Sequence, residues 1–238
     1  MILLVPAAGS GNRLGGITKR NPKILLKINN LSNLDRIKKT FFLFKKKIFV
    51  LGHRKEQIIK ELDKKDTIIS VNKKFKSTNM VESIFLPHKH ITEDLIIVYS
   101  DIIFDIKILK KLVRIKGSIM PVNGKWQNNW KKRMSIKKVL SDAENIEIND
   151  NKLISIGGKI KHKLPNCQFM GIVKFKKNEY FRLRKFYKSL KDNKLSLTAF
   201  LDKALRKKIL VLRTIVVYNY WTEIDTISDY KFAQKKFK

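Results

Sequence analysis

The sequence has little of what marks several common classes of protein. Its single cysteine, Cys167, excludes an internal disulfide and a cysteine-rich zinc site, and it is typical of a reducing compartment. No apolar run approaches the length that crosses a membrane, and the apolar start at residues 2–5 is too short for a secretory signal. We therefore expect a cytoplasmic protein without a membrane span.

Acidic residues are also scarce. The chain has 20 Asp and Glu against 53 Lys and Arg, which gives a net charge of +33 at pH 7. Such a charge favours nucleic acid or an anionic membrane as a partner. Only 10 of the 53 basic residues are Arg, however, and the Lys are spread from Lys19 to Lys238, whereas a nucleic-acid surface more often clusters Arg with aromatic residues. We expect a solvated lysine background and no specific nucleic-acid partner, with polyanion binding as the alternative.

The chain also lacks linkers and internal repeats, and strand-like segments alternate with helix-like ones through its first half. The strand-like segments are residues 2–5, 47–52, 67–72, 94–101 and 117–123. Their alternation with helices predicts an α/β domain whose sheet is mainly parallel and is covered by helices in three layers. Ligands of such sheets bind at the carboxyl ends of the strands.

The second half of the chain changes character. Residues 143–158 resemble a β-hairpin that turns around Asp150 and Asn151, and residues 167–175 resemble a returning strand. Two helices, a strand at 209–218 and a final helix from about Ile227 complete the pattern. The hairpin is the one small elaboration that we predict on the α/β domain.

A glycine-rich loop follows the first strand. It matches only the first two glycines of the dinucleotide fingerprint, with Leu14 in place of the third, and no P-loop lysine follows. Backbone N–H groups at Gly9 and Gly11 would nevertheless form an anion-binding concavity, and Arg13 and Lys23 suit a pyrophosphate that leaves. The loop therefore predicts a triphosphate site; the alternative is a tight basic surface loop.

Two carboxylates lie near predicted strand ends. Asp101 follows an apolar strand, and Asp225 lies between the last strand and the last helix. Two such side chains can hold one Mg²⁺ that also binds phosphate oxygens. For Asp225, a role as N-cap of the last helix is the alternative.

These motifs resemble those of the nucleotidyltransferases that activate phosphocholine and sugar phosphates. The likeness keeps its order nearly from end to end of the chain. It comprises GSGNRL with Thr18, Pro22 and Lys23, then NMVESI, YSDIIF, WQNNWKKRM, LSDAENIEI, ISIGGKI, CQFMGIVKF and YWTEIDTISDYKFAQ. The resemblance implies a Rossmann-like, glycosyltransferase-A-like α/β/α domain over residues 1–238. Residues 1–122 would form its nucleotide-binding half, and residues 123–238 its acceptor-binding half with the second metal ligand.

The resemblance also implies a reaction. CTP and a small phosphorylated acceptor would give a CDP-linked product and pyrophosphate, with Mg²⁺ as the cofactor. Asp101 and Asp225 would bind the metal, and Arg13 and Lys23 would be catalytic with them. The residues expected to bind the nucleotide are Ala7, Ala8, Gly9, Gly11, Arg13, Asn79 and Ser83.

The resemblance says less about the residues that would bind the acceptor. The residues expected there are Trp126, Asp142, Glu144, Gln168 and Gly171. Aromatic and acidic side chains suit a cationic group, as in phosphocholine, an aminoalkylphosphonate or a phosphorylated amino acid. Asp142 and Glu144 would share one face of an extended segment, whereas Trp126 and Trp130, four residues apart, are equally well explained as a core stripe.

The chain departs from the family's pattern at two positions on the acceptor side. Asn123 stands where an acidic residue is common, and Gly158 precedes Lys159 where a basic residue is expected. The identity of the acceptor therefore stays open. A sugar-1-phosphate nucleotidyltransferase that uses UTP, GTP or dTTP is one alternative, and a non-enzymatic basic protein that binds RNA or membranes is another. Either a monomer or a homodimer fits the sequence.

Overall fold

The chain begins with a strand that is buried on both faces, and the sheet grows outward from it. The computed structural model describes residues 1–63, 65, 67–160, 164–192 and 194–237. Within these residues the strands are β1 (Ile2–Ala7), β2 (Lys27–Ile28), β3 (Leu31–Ser32), β4 (Lys46–Leu51), β5 (Thr67–Val71), β6 (Leu95–Val98), β7 (Ile102–Phe104), β8 (Ile119–Asn123), β9 (Glu144–Asn149), β10 (Lys152–Lys159), β11 (Gln168–Phe169), β12 (Ile172–Phe175), β13 (Arg213–Val217) and β14 (Trp221–Glu223).

The helices of the described residues lie between these strands and after them. They are α1 (Gly16–Arg20), α2 (Asn33–Lys38), α3 (Lys55–Lys60), α4 (Met80–Phe85), α5 (Lys107–Arg114), α6 (Trp126–Lys131), α7 (Ile136–Asp142), α8 (Lys177–Ser189), α9 (Leu197–Arg206) and α10 (Ile227–Lys236), with 3-10 turns at Asn12–Leu14, Lys23–Leu25, Phe41–Leu43 and His88–His90. Two helices begin at capping boxes, Ser32 with Asp35 and Thr226 with Asp229, because side chains there satisfy backbone N–H groups that have no helical partner. None of the described helices has the length and apolarity needed to cross a bilayer.

One large mixed sheet organises the molecule. Its strands lie in the order β5-β4-β1-β6-β12-β8-β13-β10-β9, and β11 pairs with β8. The four neighbouring strands β5, β4, β1 and β6 are parallel to one another, whereas β12 runs antiparallel to both of its neighbours. The β9–β10 hairpin turns at Asp150 and Asn151 with φ of 46° and 58°, as predicted.

Helices cover both faces of the sheet. Alternate residues of β1 point to opposite sides: Leu4 joins the apolar cluster that contains residues of α4, α8 and α9, while Leu3 and Val5 join the one that contains residues of α2, α3, α5 and α6. Burial on both faces explains why β1 is apolar throughout rather than alternating. The predicted fold class, a three-layer α/β/α domain with a mainly parallel core and a hairpin elaboration, is confirmed.

A short ladder outside the main sheet was not predicted. β7 pairs antiparallel with β14, with Glu223 opposite Ile102, and the amide of Ile224 donates to the carbonyl of Asp101 at 2.9 Å. This ladder brings the segment that follows β6 against the segment that precedes α10. It therefore places the backbones of Asp101 and Asp225 side by side at the carboxyl edge of the sheet.

The predicted strand at 167–175 is broken into β11 and β12 by Met170 and Gly171. Gly171 has φ of +74°, and its carbonyl accepts a hydrogen bond from the amide of Tyr99 at 2.9 Å. A Cβ atom at Gly171 would lie 2.9 Å from Cγ of Tyr99. The backbone kink at Gly171 thus lets the Tyr99 ring pack directly on the chain.

We predict that Gly171→Ala lowers the free energy of unfolding by about 2 to 4 kcal/mol, because an L side chain is disfavoured at positive φ and its Cβ would displace Tyr99. Urea denaturation of both proteins measures the change. Gly16→Ala is the matched control, since a Cβ there meets no atom within 4 Å and the backbone is helical. Equal losses in the two variants would contradict the assigned role of Gly171.

Candidate active site

Three adjoining cavities open at the carboxyl ends of the strands. We name each after one lining residue: the Lys23 cavity, of about 260 Å³, the Phe75 cavity, of about 250 Å³, and the Glu144 cavity, of about 300 Å³. Met80, at the start of α4, lines all three. The cavities therefore form one continuous cleft with the Lys23 cavity between the glycine loop and the two carboxylates.

The glycine loop and both predicted carboxylates line the Lys23 cavity. The residues of the prediction that reach it are Ala7, Gly9, Gly11, Arg13, Lys23, Asp101 and Asp225. Gly11 has φ of +68°, and a Cβ there would lie 3.2 Å from Thr18 and 3.4 Å from the stem of Lys23. Thr18 fixes the loop by donating from its hydroxyl to the Gly11 carbonyl at 3.0 Å. The glycine lets the loop pack against Lys23.

Lys23 lies between the two carboxylates. Its ammonium is 2.8 Å from Oδ2 of Asp101 and also donates a hydrogen bond to Oδ1 of Asp225. The guanidinium of Arg13 pairs with the other oxygen of Asp225 at 2.7 Å. Four predicted catalytic residues from three separate parts of the chain are thus in direct contact, and their formal charges cancel.

The pKa values follow from this cluster. Burial by itself would lower the pKa of Lys23, but the charges of Asp101 and Asp225 outweigh it and raise that pKa above its usual value. Burial would likewise raise the pKa of Asp225, and Lys23 and Arg13 reverse this and lower it. At neutral pH Lys23 is therefore protonated and Asp225 is ionised.

A buried ion pair holds the segment that carries Asp225. Arg133, which follows α6, pairs with Asp229 at 2.7 Å, and the side chains of the two are 1% and 3% exposed. Asp229 also accepts from the amides of Asp225 and Thr226, and Arg133 donates to the carbonyl of Glu223 at 3.1 Å. The N-cap of α10 is Thr226, so the alternative that made Asp225 the cap is wrong.

The Phe75 cavity receives the remaining nucleotide-side predictions. Ala8, Gly9, Asn79 and Ser83 line it, together with Phe75. Asn79 caps α4 through its side-chain oxygen, and Ser83 is buried one turn further along that helix. A flat aromatic ring beside hydroxyl and amide groups is chemistry that suits a heterocyclic base.

Asn72, at the end of β5, is a residue of this cavity that the sequence interpretation missed. It is 3% exposed and donates from its side-chain amide to Ser83 at 3.0 Å and to Thr78 at 3.2 Å. Its side-chain oxygen accepts from the amide of Lys74 at 2.9 Å. Its position directly after an apolar strand, the signal used for Asp101, was the available clue.

The Glu144 cavity contains the acceptor-side predictions Asp142, Glu144 and Gln168. Glu144 accepts a hydrogen bond from the Thr198 hydroxyl at 2.7 Å, and burial raises its pKa despite that bond. The prediction that Asp142 and Glu144 share one face of a strand is wrong, because Asp142 is the last residue of α7 and Glu144 the first of β9. Both side chains line the same cavity, because α7 ends and β9 begins between them.

Two other acceptor-side predictions do not reach this cavity. Trp126 is 0% exposed, and its indole N–H donates to the Pro165 carbonyl at 3.0 Å; it is a core residue, so its predicted contact with an acceptor is wrong. Trp130, one turn later, does line the cavity. Gly171 lies behind the wall rather than in it and acts by letting Tyr99 pack, and Tyr99 lines the cavity.

Glu223 and Arg133 also line the Glu144 cavity and were not among the predicted site residues. Burial raises the pKa of Glu223 to about 8, and the carboxylates of Asp225 and Asp101 add to the effect while Arg133 opposes it. The sequence contained a signal for both residues. Glu223 stands two residues before the predicted metal ligand Asp225, and Arg133 follows the two tryptophans at a short distance.

The residues at the centre fit a divalent cation. No group of three or more His, Cys, Asp or Glu that could hold a metal occurs among the described residues. Asp101 and Asp225 nevertheless converge on one ammonium group, so a cation can contact both at once. Mg²⁺ is usually held by one or two carboxylates together with substrate phosphates and water, and these two aspartates supply the hard oxygen ligands it needs.

The known proteins that this chain resembles over its full length include cytidylyltransferases. No protein-family model matches the chain. The CTP:phosphoglutamine cytidylyltransferase of Campylobacter jejuni is 28% identical over an alignment that covers 99% of this chain and 100% of the relative. Among solved structures, the CTP:phosphocholine cytidylyltransferase of Streptococcus pneumoniae matches with a TM-score of 0.79 and 17% identity, covering 100% of this chain and 99% of that one.

The inositol-1-phosphate CTP transferase of T. maritima matches with a TM-score of 0.77 and 20% identity, and the alignment covers 98% of this chain and 95% of that one. These likenesses extend over the whole chain rather than over the glycine loop alone. The fold is that of the nucleotidyltransferases, and the predicted resemblance of this chain to that family is confirmed.

Proposed function

We propose that this protein transfers a cytidylyl group from CTP to a small phosphorylated acceptor and releases pyrophosphate. The observation that carries the proposal is the cluster of Lys23 and Arg13 with Asp101 and Asp225, which lies where the glycine loop meets the acidic cavity. The 28% identity to a CTP:phosphoglutamine cytidylyltransferase over the whole chain supports CTP as the donor.

The chemistry needs alignment rather than a covalent intermediate on the protein. A phosphate oxygen of the acceptor would attack the α-phosphorus of CTP, and the bond from that phosphorus to the bridging oxygen would break, so that pyrophosphate leaves with the electron pair. Arg13 and Lys23 line the cavity beside the glycine loop and would stabilise the charge that develops on the leaving group. Backbone amides of the loop would orient the triphosphate.

Mg²⁺ is the cofactor of this proposal, and Asp101 and Asp225 are the residues that would hold it. When bound, the ion would neutralise charge on the phosphate oxygens of the reacting pair. The base would occupy the Phe75 cavity, where Asn72 fixes the hydroxyl of Ser83, and the acceptor the Glu144 cavity.

For the acceptor, we propose a phosphate or phosphonate that also carries a cationic or amide group. Five carboxylates line the Glu144 cavity, and two of these, Asp225 and Asp229, are already paired with Arg or Lys. Of the other three, Glu223 has a pKa raised to about 8 by burial, whereas Asp142 and Glu144 are available to an ammonium or amide donor beside the rings of Tyr99 and Trp130. Phosphocholine, phosphorylated glutamine and aminoalkylphosphonates all have this chemistry.

Pyrophosphate release tests the proposal directly. The purified protein would be incubated with Mg²⁺, one of CTP, UTP, GTP and dTTP, and one of phosphocholine, phosphoglutamine, 2-aminoethylphosphonate and glucose-1-phosphate. We expect release with CTP and a nitrogen-containing acceptor. Release only with glucose-1-phosphate and UTP, GTP or dTTP would identify a sugar-phosphate nucleotidyltransferase instead, and no release under any condition would favour the non-enzymatic alternative.

Removing one charge from either central carboxylate should abolish most of the activity. We expect Asp101→Asn and Asp225→Asn each to lower kcat by about two to three orders of magnitude, the usual effect of losing one charge-stabilising group. Steady-state pyrophosphate assays give kcat, and circular dichroism shows that the variants stay folded.

Asp105→Asn is the matched control, because Asp105 lies four residues from Asp101 but contacts the amide of Lys107 and the side chain of Asn219 instead of the cluster. We expect it to keep a rate close to that of the wild type. A near-normal rate in either Asp101→Asn or Asp225→Asn would refute the assignment of the metal ligands.

The pKa of Glu144 predicts how acceptor binding depends on pH. Because burial raises this pKa above the usual value of 4.5, Glu144 takes up a proton at a higher pH than an exposed glutamate does. An ionised Glu144 binds a cationic acceptor and a protonated one does not, so the KM for phosphocholine should rise as the pH falls through that raised pKa.

Glu144→Gln should raise this KM about ten- to a hundredfold at neutral pH and remove the pH-dependent rise, with kcat little changed. Glu147→Gln, on the same strand but exposed and in contact only with Ser155 among the hydrogen bonds of the described residues, should keep both the KM and the pH profile. An unchanged profile in Glu144→Gln would show that Glu144 does not bind the acceptor.

A further inference from the structure

Lys23 occupies the place between two carboxylates at which a cation is bound most strongly. Its ammonium contacts Asp101 at 2.8 Å and hydrogen-bonds Asp225, and the side chain is only 13% exposed. An ammonium and a divalent ion that touch the same carboxylate oxygens would lie within a few ångströms of each other and repel strongly. The two cations therefore compete for this position.

The charge balance decides which cation is present when no nucleotide is bound. Lys23 and Arg13 together neutralise Asp101 and Asp225, so that a divalent ion entering alone would meet a site without net negative charge. The ammonium is also tethered to the chain, and a free ion must lose its hydration to displace it; Mg²⁺ gives up its water reluctantly.

A triphosphate changes this balance. Lys23, Arg13, Gly9 and Gly11 line the same cavity as the two carboxylates, so phosphate oxygens placed there lie within reach of both basic side chains. The flexible four-carbon stem of lysine lets the ammonium move without moving the backbone. Phosphates thus provide Lys23 with another partner and bring their own negative charge for the metal.

We propose that Lys23 keeps the divalent ion out of the free protein, so that Mg²⁺ enters stably only together with the nucleoside triphosphate. This inference rests on the proposed function for the identity of the nucleotide, but the competition between Lys23 and the ion does not depend on turnover. Lys23 therefore has two roles: it closes the cation site before the nucleotide binds and contacts its phosphates afterwards.

The test measures binding of MgCl₂ alone, without nucleotide, by isothermal titration calorimetry. We expect Lys23→Met to bind Mg²⁺ at least tenfold more tightly than the wild type and to show a rise in Tm with Mg²⁺ that the wild type lacks, although the variant has lost most of its activity. Lys60→Met, which removes an exposed lysine of α3, carries the same change in net charge and should behave as the wild type.

Because Lys23→Met leaves two carboxylates facing each other, Lys23→Gln provides a second variant that keeps a hydrogen-bond donor without the charge. Tighter Mg²⁺ binding in either folded variant supports the inference. Equal Mg²⁺ affinity in the wild type and both variants overturns it. A failure of the proposed function would instead appear as absent pyrophosphate release by the wild type with every nucleotide and acceptor, whatever the Mg²⁺ affinities.

Discussion

The contact of Lys23 with Asp101 and Asp225 is the one on which the arrangement of the cleft depends. Lys23 is 78 positions from Asp101 and 202 positions from Asp225 in the chain. The contact therefore brings the glycine loop, the end of β6 and the segment before α10 together. Like charges so close together repel each other, so a cation between the two aspartates stabilises this arrangement. The β7–β14 ladder and the Arg133–Asp229 pair then fix the backbone beneath them.

The distribution of acidic residues gives the cleft its chemistry. The chain has only 20 acidic residues and a net charge of +33, yet six of the acidic residues line the Lys23 and Glu144 cavities: Asp101, Asp142, Glu144, Glu223, Asp225 and Asp229. A positive surface raises the local concentration of an anionic nucleotide, whereas the acidic cleft favours metal ions and cationic groups. Because the chain has so few acidic residues, these six are a large share of its acidic side chains.

The errors of the sequence interpretation have a common physical cause. Trp126 and Trp130 lie four residues apart on one helix, yet Trp126 is buried and donates to the Pro165 carbonyl, whereas Trp130 lines the cavity. Asp142 and Glu144 reach one cavity because a helix ends and a strand begins between them. Gly171 acts one layer behind the site, through Tyr99. Side-chain direction at such boundaries depends on tertiary packing, which spacing along the chain does not specify.

The sequence by itself determined the layered α/β fold, and it pointed to the glycine loop and to Arg13, Lys23, Asp101 and Asp225 as candidate site residues, because apolar periodicity, glycine and charge are local properties that can be read in order. Only the tertiary structure decided that these four groups touch, since the short β7–β14 ladder that aligns Asp101 with Asp225 has too few residues to leave a pattern. The same holds for Asn72 and Arg133, whose partners Ser83 and Asp229 are distant in sequence, and for the burial that raises the pKa of Glu223. Long-range contacts of this kind are set by how the elements pack against one another, and that information is spread over the whole chain.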